Sequence, residues 1–131
     1  MTLDFPGELP DMRLAPNAKG NLHHMERSKL VKIERELWGW RFQAGEGGLL
    51  RSKLWMIRNP PPYSLSWEVR FSDKRNRDDD GVLGALKHAR DGAVDAGLFT
   101  SDGLTVIGQS CIKGMLGSKE PGTTLTIRPL T

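Results

Sequence analysis

Three aspartates stand side by side in KRNRDDDGVLGALKHARD, residues 74 to 91, directly after Lys74, Arg75 and Arg77. Adjacent carboxylates raise one another's pKa unless something offsets their charge. A hard cation does this well, because magnesium takes oxygen ligands and commonly uses one or two carboxylates completed by waters and substrate phosphates. The upstream cations Lys74, Arg75 and Arg77 are suited to hold such phosphates, with an affinity that falls as salt rises. If the stretch from about Asp79 to Ala96 is helical, each residue advances about 100°, and Gly84, Lys87 and Asp91 fall within roughly 40° of the direction of Asp80. One face then carries a carboxylate, a gap, a lysine and another carboxylate, while Val82, Leu86, Ala89, Ala93 and Ala96 share the opposite side. That arrangement suits phosphodiester hydrolysis, which needs an activated water and charge neutralised on the transition state and the departing 3′ oxygen. Lys87 would assist at a non-bridging oxygen, the water or the leaving group.

Simpler roles compete. Acidic residues at a helix start are favoured by the helix dipole by roughly 0.3–1 kcal/mol each, and an aspartate there also caps the first turn. Lys87 with Asp91 is an i, i+4 pair worth about 0.3–0.5 kcal/mol, and the cations form an ordinary solvated charge run. A calcium loop is excluded. NRDDDG, residues 76 to 81, matches the opening of an EF-hand, but its twelfth position is Lys87 where a bidentate glutamate is required.

The elements that must position these residues are legible in part. Pro6, Pro10 and Pro16 break the opening segment into strand pieces and turns. Residues 24 to 43 place Leu30, Ile33, Leu37 and Trp40 on one stripe at helical spacing, with Lys29, Lys32 and Glu36 opposite, which predicts an amphipathic helix with that stripe buried. Residues 49 to 58 and 64 to 72 read as strands around the triple proline 60 to 62. The acidic helix should stop at Gly97, followed by two β-rich runs around the loop LGSKEPG. The expected fold is α+β in two layers, a small mixed sheet with two main helices packed on it.

The whole chain, 131 residues, reads as one domain able to bury a core. No apolar run approaches the roughly 18 residues needed to span a bilayer. The start lacks a signal-peptide pattern, and the single Cys111 forms no intrachain disulfide, so a reducing, cytoplasmic setting is expected. The net charge of +3 leans mildly towards a polyanionic partner. Lys19, His23, His24, Arg27 and Lys29 form a second basic segment suited to backbone contacts. His23 and His24 are not expected to bind metal, since adjacent side chains usually point apart. Trp38, Trp40, Trp55 and Trp67 are expected in the core, and Cys111 as an inert small hydrophobe.

Residues 75 to 102, RNRDDDGVLGALKHARDGAVDAGLFTSD, resemble the signature of RusA-type Holliday junction resolvases, phage-encoded members included. The family's Arg-Asp-x-Asp opening appears as Arg77-Asp78-Asp79-Asp80, its lysine as Lys87, its Asp-Gly-Leu-x-x-Ala-Gly segment as Asp91 to Gly97, and its last aspartate as Asp102. MRLAPNAKGNLHH, residues 12 to 24, is similar to the entrance of phage-type members.

The resemblance implies a single nuclease domain over residues 1 to 131, acting as a homodimer that cuts four-way DNA junctions with Mg2+, for which Mn2+ can substitute. Asp78, Asp80 and Asp102 would hold the metal, Lys87 would be the essential lysine, and Asp91 would support them from behind. Lys74, Arg75, Arg77, Lys19 and Arg27 would contact DNA. Two departures stand out: Gly81 replaces the family's asparagine, and Ser101 replaces an acidic residue before Asp102. The first motivates an alternative, a branched-DNA-binding protein of the same fold with weak or lost cleavage. Apolar surface for the dimer would come from the first helix or from residues 104 to 113.

Overall fold

The structure is a computed structural model, and it describes residues 1–16, 23–45 and 48–130. Strands β1 (Thr2–Pro6), β2 (Tyr63–Arg70), β3 (Ile107–Met115) and β4 (Gly122–Pro129) form one mixed sheet in the order β1-β4-β2-β3. β4 runs antiparallel to both neighbours, and β2 and β3 are parallel. Parallel neighbours need a crossover. Here it is helix α3 (Asp79–Asp95), which lies in one layer beside α1 (His24–Ala44).

Alternation along β2 explains the layering. Tyr63, Leu65, Trp67 and Val69 point inward and are buried, while Ser64, Ser66, Glu68 and Arg70 face the other side. Each buried side chain of this size stabilises the fold by about 1.5–3 kcal/mol. Trp67 stands between Leu125 of β4 and Ile112 of β3, and Leu65 beside Ile127. The outward face is left open and polar, as antiparallel sheets allow. Arg70 there bonds Glu68, at 2.9 Å, and the Thr124 hydroxyl, at 2.9 Å.

Three findings correct the sequence reading. Residues 49 to 58 are not a strand but part of a third helix, α2 (Gly48–Arg58). The run LLRSKLWMIR holds only one β-branched residue and is otherwise rich in helix formers, so its apolar character was mistaken for strand character. Helix α1 occupies its expected residues but is turned over. Its buried residues are Glu34, Trp38, Gly39 and Phe42, whereas Ile33, Leu37 and Trp40 are exposed. Trp38 meets Phe5 edge-on at 5.4 Å, and Glu34 accepts the Asp11 N–H at 2.6 Å. These two contacts fix the rotation that sends the Ile33 stripe outward. Among the tryptophans, Trp38 and Trp67 are buried as expected and Trp55 partly so, but Trp40 is 70% exposed. Cys111 lies exposed on the open sheet face beside the Ser66 hydroxyl, at 3.3 Å, and so is not a packed hydrophobe.

Candidate functional site

The path into α3 is tied down before the helix begins. Phe71 is buried at the end of β2, and the Arg77 guanidinium lies over its ring, 3.9 Å from the centroid. Arg77 also donates to both carboxylate oxygens of Asp73, at 2.7 and 3.0 Å. Asp73 accepts the Arg75 N–H as well, and these donors, Arg77 first, pull its pKa down to about 2. Arg77, with a side chain only 14% exposed, is therefore committed to positioning this loop. Its guanidinium is thus already engaged where the sequence reading expects a phosphate contact, while Lys74 and Arg75 are exposed. The loop is laced to the β3–β4 turn, where Gly117 N–H donates to the Asp73 carbonyl at 2.7 Å and Ser118 N–H to that of Phe71 at 2.9 Å.

Asp78 leaves this loop extended, with φ −86° and ψ 155°, and caps α3 by accepting the Gly81 N–H at 2.7 Å. Asp79 and Asp80 occupy the first turn, and Asp79 accepts the Asp80 N–H at 2.9 Å. All three aspartates are exposed. The apolar face reads as expected: Val82, Ala85, Leu86, Ala89 and Ala93 are buried, with Ala96 partly so. The gap at Gly84 has a cause, since a Cβ there would lie 2.5 Å from Pro16. Lys87 is exposed two turns beyond Asp80, and no ion pair joins it to Asp91 among the described residues.

Asp102 sits at the other end of the helix. Its carboxylate lies 3.9 Å from Arg90, ten residues past Asp80, a rise of about 15 Å. Arg90 also donates to the Ser110 hydroxyl at 3.2 Å. Nearby, Arg35 of α1 grips Asp95 through two bonds, at 3.0 and 2.8 Å, and feels the fields of Asp91 and Asp102 too. The structure thus keeps Asp78 and Asp80 at the helix start and Asp102 beside Arg90 at the far end, where Asp91 acts on Arg35 only through its field. Among the described residues, no three His, Cys, Asp or Glu side chains converge so as to hold a metal ion. The donor chemistry at the start of α3 still fits magnesium held by one or two carboxylates and otherwise by water and phosphate. It does not fit a closed three-carboxylate cage.

Elsewhere, Arg27 donates to the Leu14 carbonyl at 3.1 Å, which leaves it partly occupied. Lys19 lies outside the described residues, as do residues 17 to 22 of the similarity found in residues 12 to 24. The rings of His23 and His24 do not point apart but stack 4.4 Å apart, and His23 Nδ1 accepts the Met25 N–H to cap α1. Asp73, Arg35, Arg90 and Asp95 were missed from sequence. The i, i+4 spacing of Asp73 and Arg77 was a usable signal, whereas Arg35 and Asp95 are 60 residues apart and gave none. A recess of about 390 Å³ between α2 and residues 97 to 106, lined by Met56, Ile57, Tyr63, Leu98 and Phe99, contains no carboxylate.

Compared with known proteins, the chain matches no family model and no curated protein.

Proposed function

We propose that the protein is a magnesium-dependent, structure-specific DNA endonuclease that resolves four-way junctions as a homodimer. One observation carries this: a helix whose exposed side presents Asp80 in the first turn and Lys87 two turns on, behind an aspartate cap and the exposed cations Lys74 and Arg75. Asp78 and Asp80 are the residues to hold magnesium, which when bound neutralises phosphate charge and activates water for attack on phosphorus. Lys74 and Arg75 draw the DNA backbone towards the helix start. Lys87 meets charge developing on a phosphate oxygen or on the departing 3′ oxygen. Two opposed cuts need two copies of this set, and a two-fold pair presents them to a substrate of similar symmetry.

Asp102 enters this account through the resemblance alone, since it lies beside Arg90 at the far end of α3. Its separation from Asp78 and Asp80 favours a second function, a branched-DNA-binding protein in which cleavage is weak or lost. Incubating purified protein with a synthetic four-way junction and Mg2+ decides between them. Paired symmetric cuts, lost in Asp80→Asn with junction binding retained, support the nuclease. Tight junction binding without cleavage at any magnesium or manganese concentration supports the binder, and neither binding nor cleavage removes both.

A further inference from the structure

The outward stripe of α1 is the least expected surface on the molecule. Ile33, Leu37 and Trp40 are 51%, 44% and 70% exposed, and half-buried Leu30 continues their line. At 100° per residue the stripe points roughly 120–130° away from the side that buries Glu34, Trp38 and Phe42. It therefore faces squarely out of the fold. Together these three side chains leave on the order of 350 Å² of apolar surface open, within the roughly 300–600 Å² of the largest patch on a soluble monomer. Exposed Lys29 and Glu36 border one edge of it, with Lys32 beyond them, and half-buried Arg41 begins the other edge.

We propose that this stripe is where a second copy of the chain docks, with the two α1 helices antiparallel across a two-fold axis between Ile33 and Leu37. The spacing of Leu30, Ile33, Leu37 and Trp40 is three, four, three. This is the step of a coiled-coil seam, and it reads the same in both directions. Reversal therefore sets Leu30 opposite Trp40 of the partner subunit and Ile33 opposite Leu37 of the partner subunit. Such self-complementarity is what an isologous interface requires, and neither DNA nor a polar ligand would select for it. Doubled across the pair, and with the stems of Lys29 and Glu36 laid along one edge, the stripe approaches the roughly 1,000 Å² of a specific interface. The pairing gives the paired nuclease its surface and rests on that reading for its purpose, but its test does not involve cleavage.

The test is sedimentation velocity of the full chain from sub-micromolar to tens of micromolar. Wild type should pass from monomer to dimer, and Trp40→Glu should raise the dissociation constant about 30-fold or more, as expected of an anchoring tryptophan. Ile33→Glu and Leu37→Lys should each be monomeric alone yet associate when mixed, because reversal sets the new opposite charges face to face. Thermal unfolding checks that the variants remain folded. A wild type that stays monomeric throughout overturns the inference. So does a dimer that survives Trp40→Glu and Ile33→Glu but is lost in Leu104→Glu, which would move the interface to the exposed loop before β3. Junction cleavage measured on the same samples is a separate readout, so failure to pair and failure to cut are distinguishable.

Discussion

Helices α1 and α3 lie against each other and bury different kinds of surface. α3 contributes Val82, Ala85, Leu86, Ala89, Gly92 and Ala93. These are mostly small residues, suited to an element touched on one side by α1 and on another by the sheet. α1 contributes Trp38 and Phe42, two rings that reach β1 through Phe5, and turns an apolar stripe to the outside. A helix enclosed on two sides has one place for its apolar residues, so its polar side is the one left to solvent except where Pro16 covers Gly84, and Asp80 and Lys87 are on it. A helix enclosed on one side can carry two apolar stripes, one for its own core and one left over. On α1 the leftover stripe is the more regular of the two, which is why periodicity selected the wrong side.

Two tryptophans on α1 give the sharpest way to break this contrast. Trp38→Ala should destabilise the protein by about 3–5 kcal/mol, since it empties a fully buried site. Trp40→Ala should change the stability of the monomer by no more than about 0.5 kcal/mol, as for other surface positions. Urea unfolding at dilute protein measures both, and equal losses would show that α1 is rotated differently.

The crossing itself comes next in size. A Cβ on Gly92 would lie 2.6 Å from the Arg35 carbonyl oxygen, 2.9 Å from Trp38 Cβ and 3.0 Å from Gly39 N, so the helices would have to separate. Overpacking of this kind costs typically about 1–3 kcal/mol, against up to about 1 kcal/mol gained in helix propensity. Gly92→Ala should therefore lose about 1–2 kcal/mol. Gly39→Ala, whose Cβ would sit 3.4 Å from the Gly92 carbonyl oxygen, should lose less. If both variants are as stable as wild type, the close crossing is not what seats α3.

What was legible in the sequence follows the same division. The span of α3, its Gly97 terminator with φ +88°, its buried side and its acidic first turn could be read from local spacing and capping chemistry. So could β2, β3, β4 and the mixed sheet, whose inward residues alternate. The rotation of α1 could not, because it depends on Phe5 and Asp11, which are distant in sequence. The candidate site was legible at the helix start, where Asp78, Asp79 and Asp80 are neighbours. It was not legible at Asp102, whose distance from Asp80 is set by the length of α3 and by Arg90. The structural partners of Arg77, Phe71 and Asp73, could not be read because they are revealed only when the loop folds back.

Within α3, stability and chemistry should separate at the first turn. Asp78→Ala removes the cap on Gly81 N–H and should cost about 1 kcal/mol, whereas Asp78→Asn, an equally good cap, should cost little. Under the nuclease proposal both variants lose junction cleavage, and so does Asp80→Asn with near wild-type stability. A cleaving Asp78→Asn would mean that Asp78 serves only as a cap.

The smallest effect tests the seam between the helices through pH. His88 is half-buried on α3, and its Nδ1 has no hydrogen-bond partner among the described residues. Burial, first, and then the cations Arg27 and Arg35 of α1 and Lys87 of α3, lower its pKa below 6.5, with Asp91 opposing them. The unfolded chain then binds more protons than the folded one once pH drops below that value, so stability falls on acidification through 6.5 and levels off below the folded pKa. Asp73 does not intrude. Its depressed pKa contributes stability that is present above 3.8 and lost only as pH falls through about 2. Unfolding midpoints of wild type and His88→Gln, followed from neutral to mildly acidic pH, should therefore converge on the acid side or cross. Parallel curves would mean that His88 is as solvated in the folded protein as in the unfolded chain, and that α1 does not cover this side of α3.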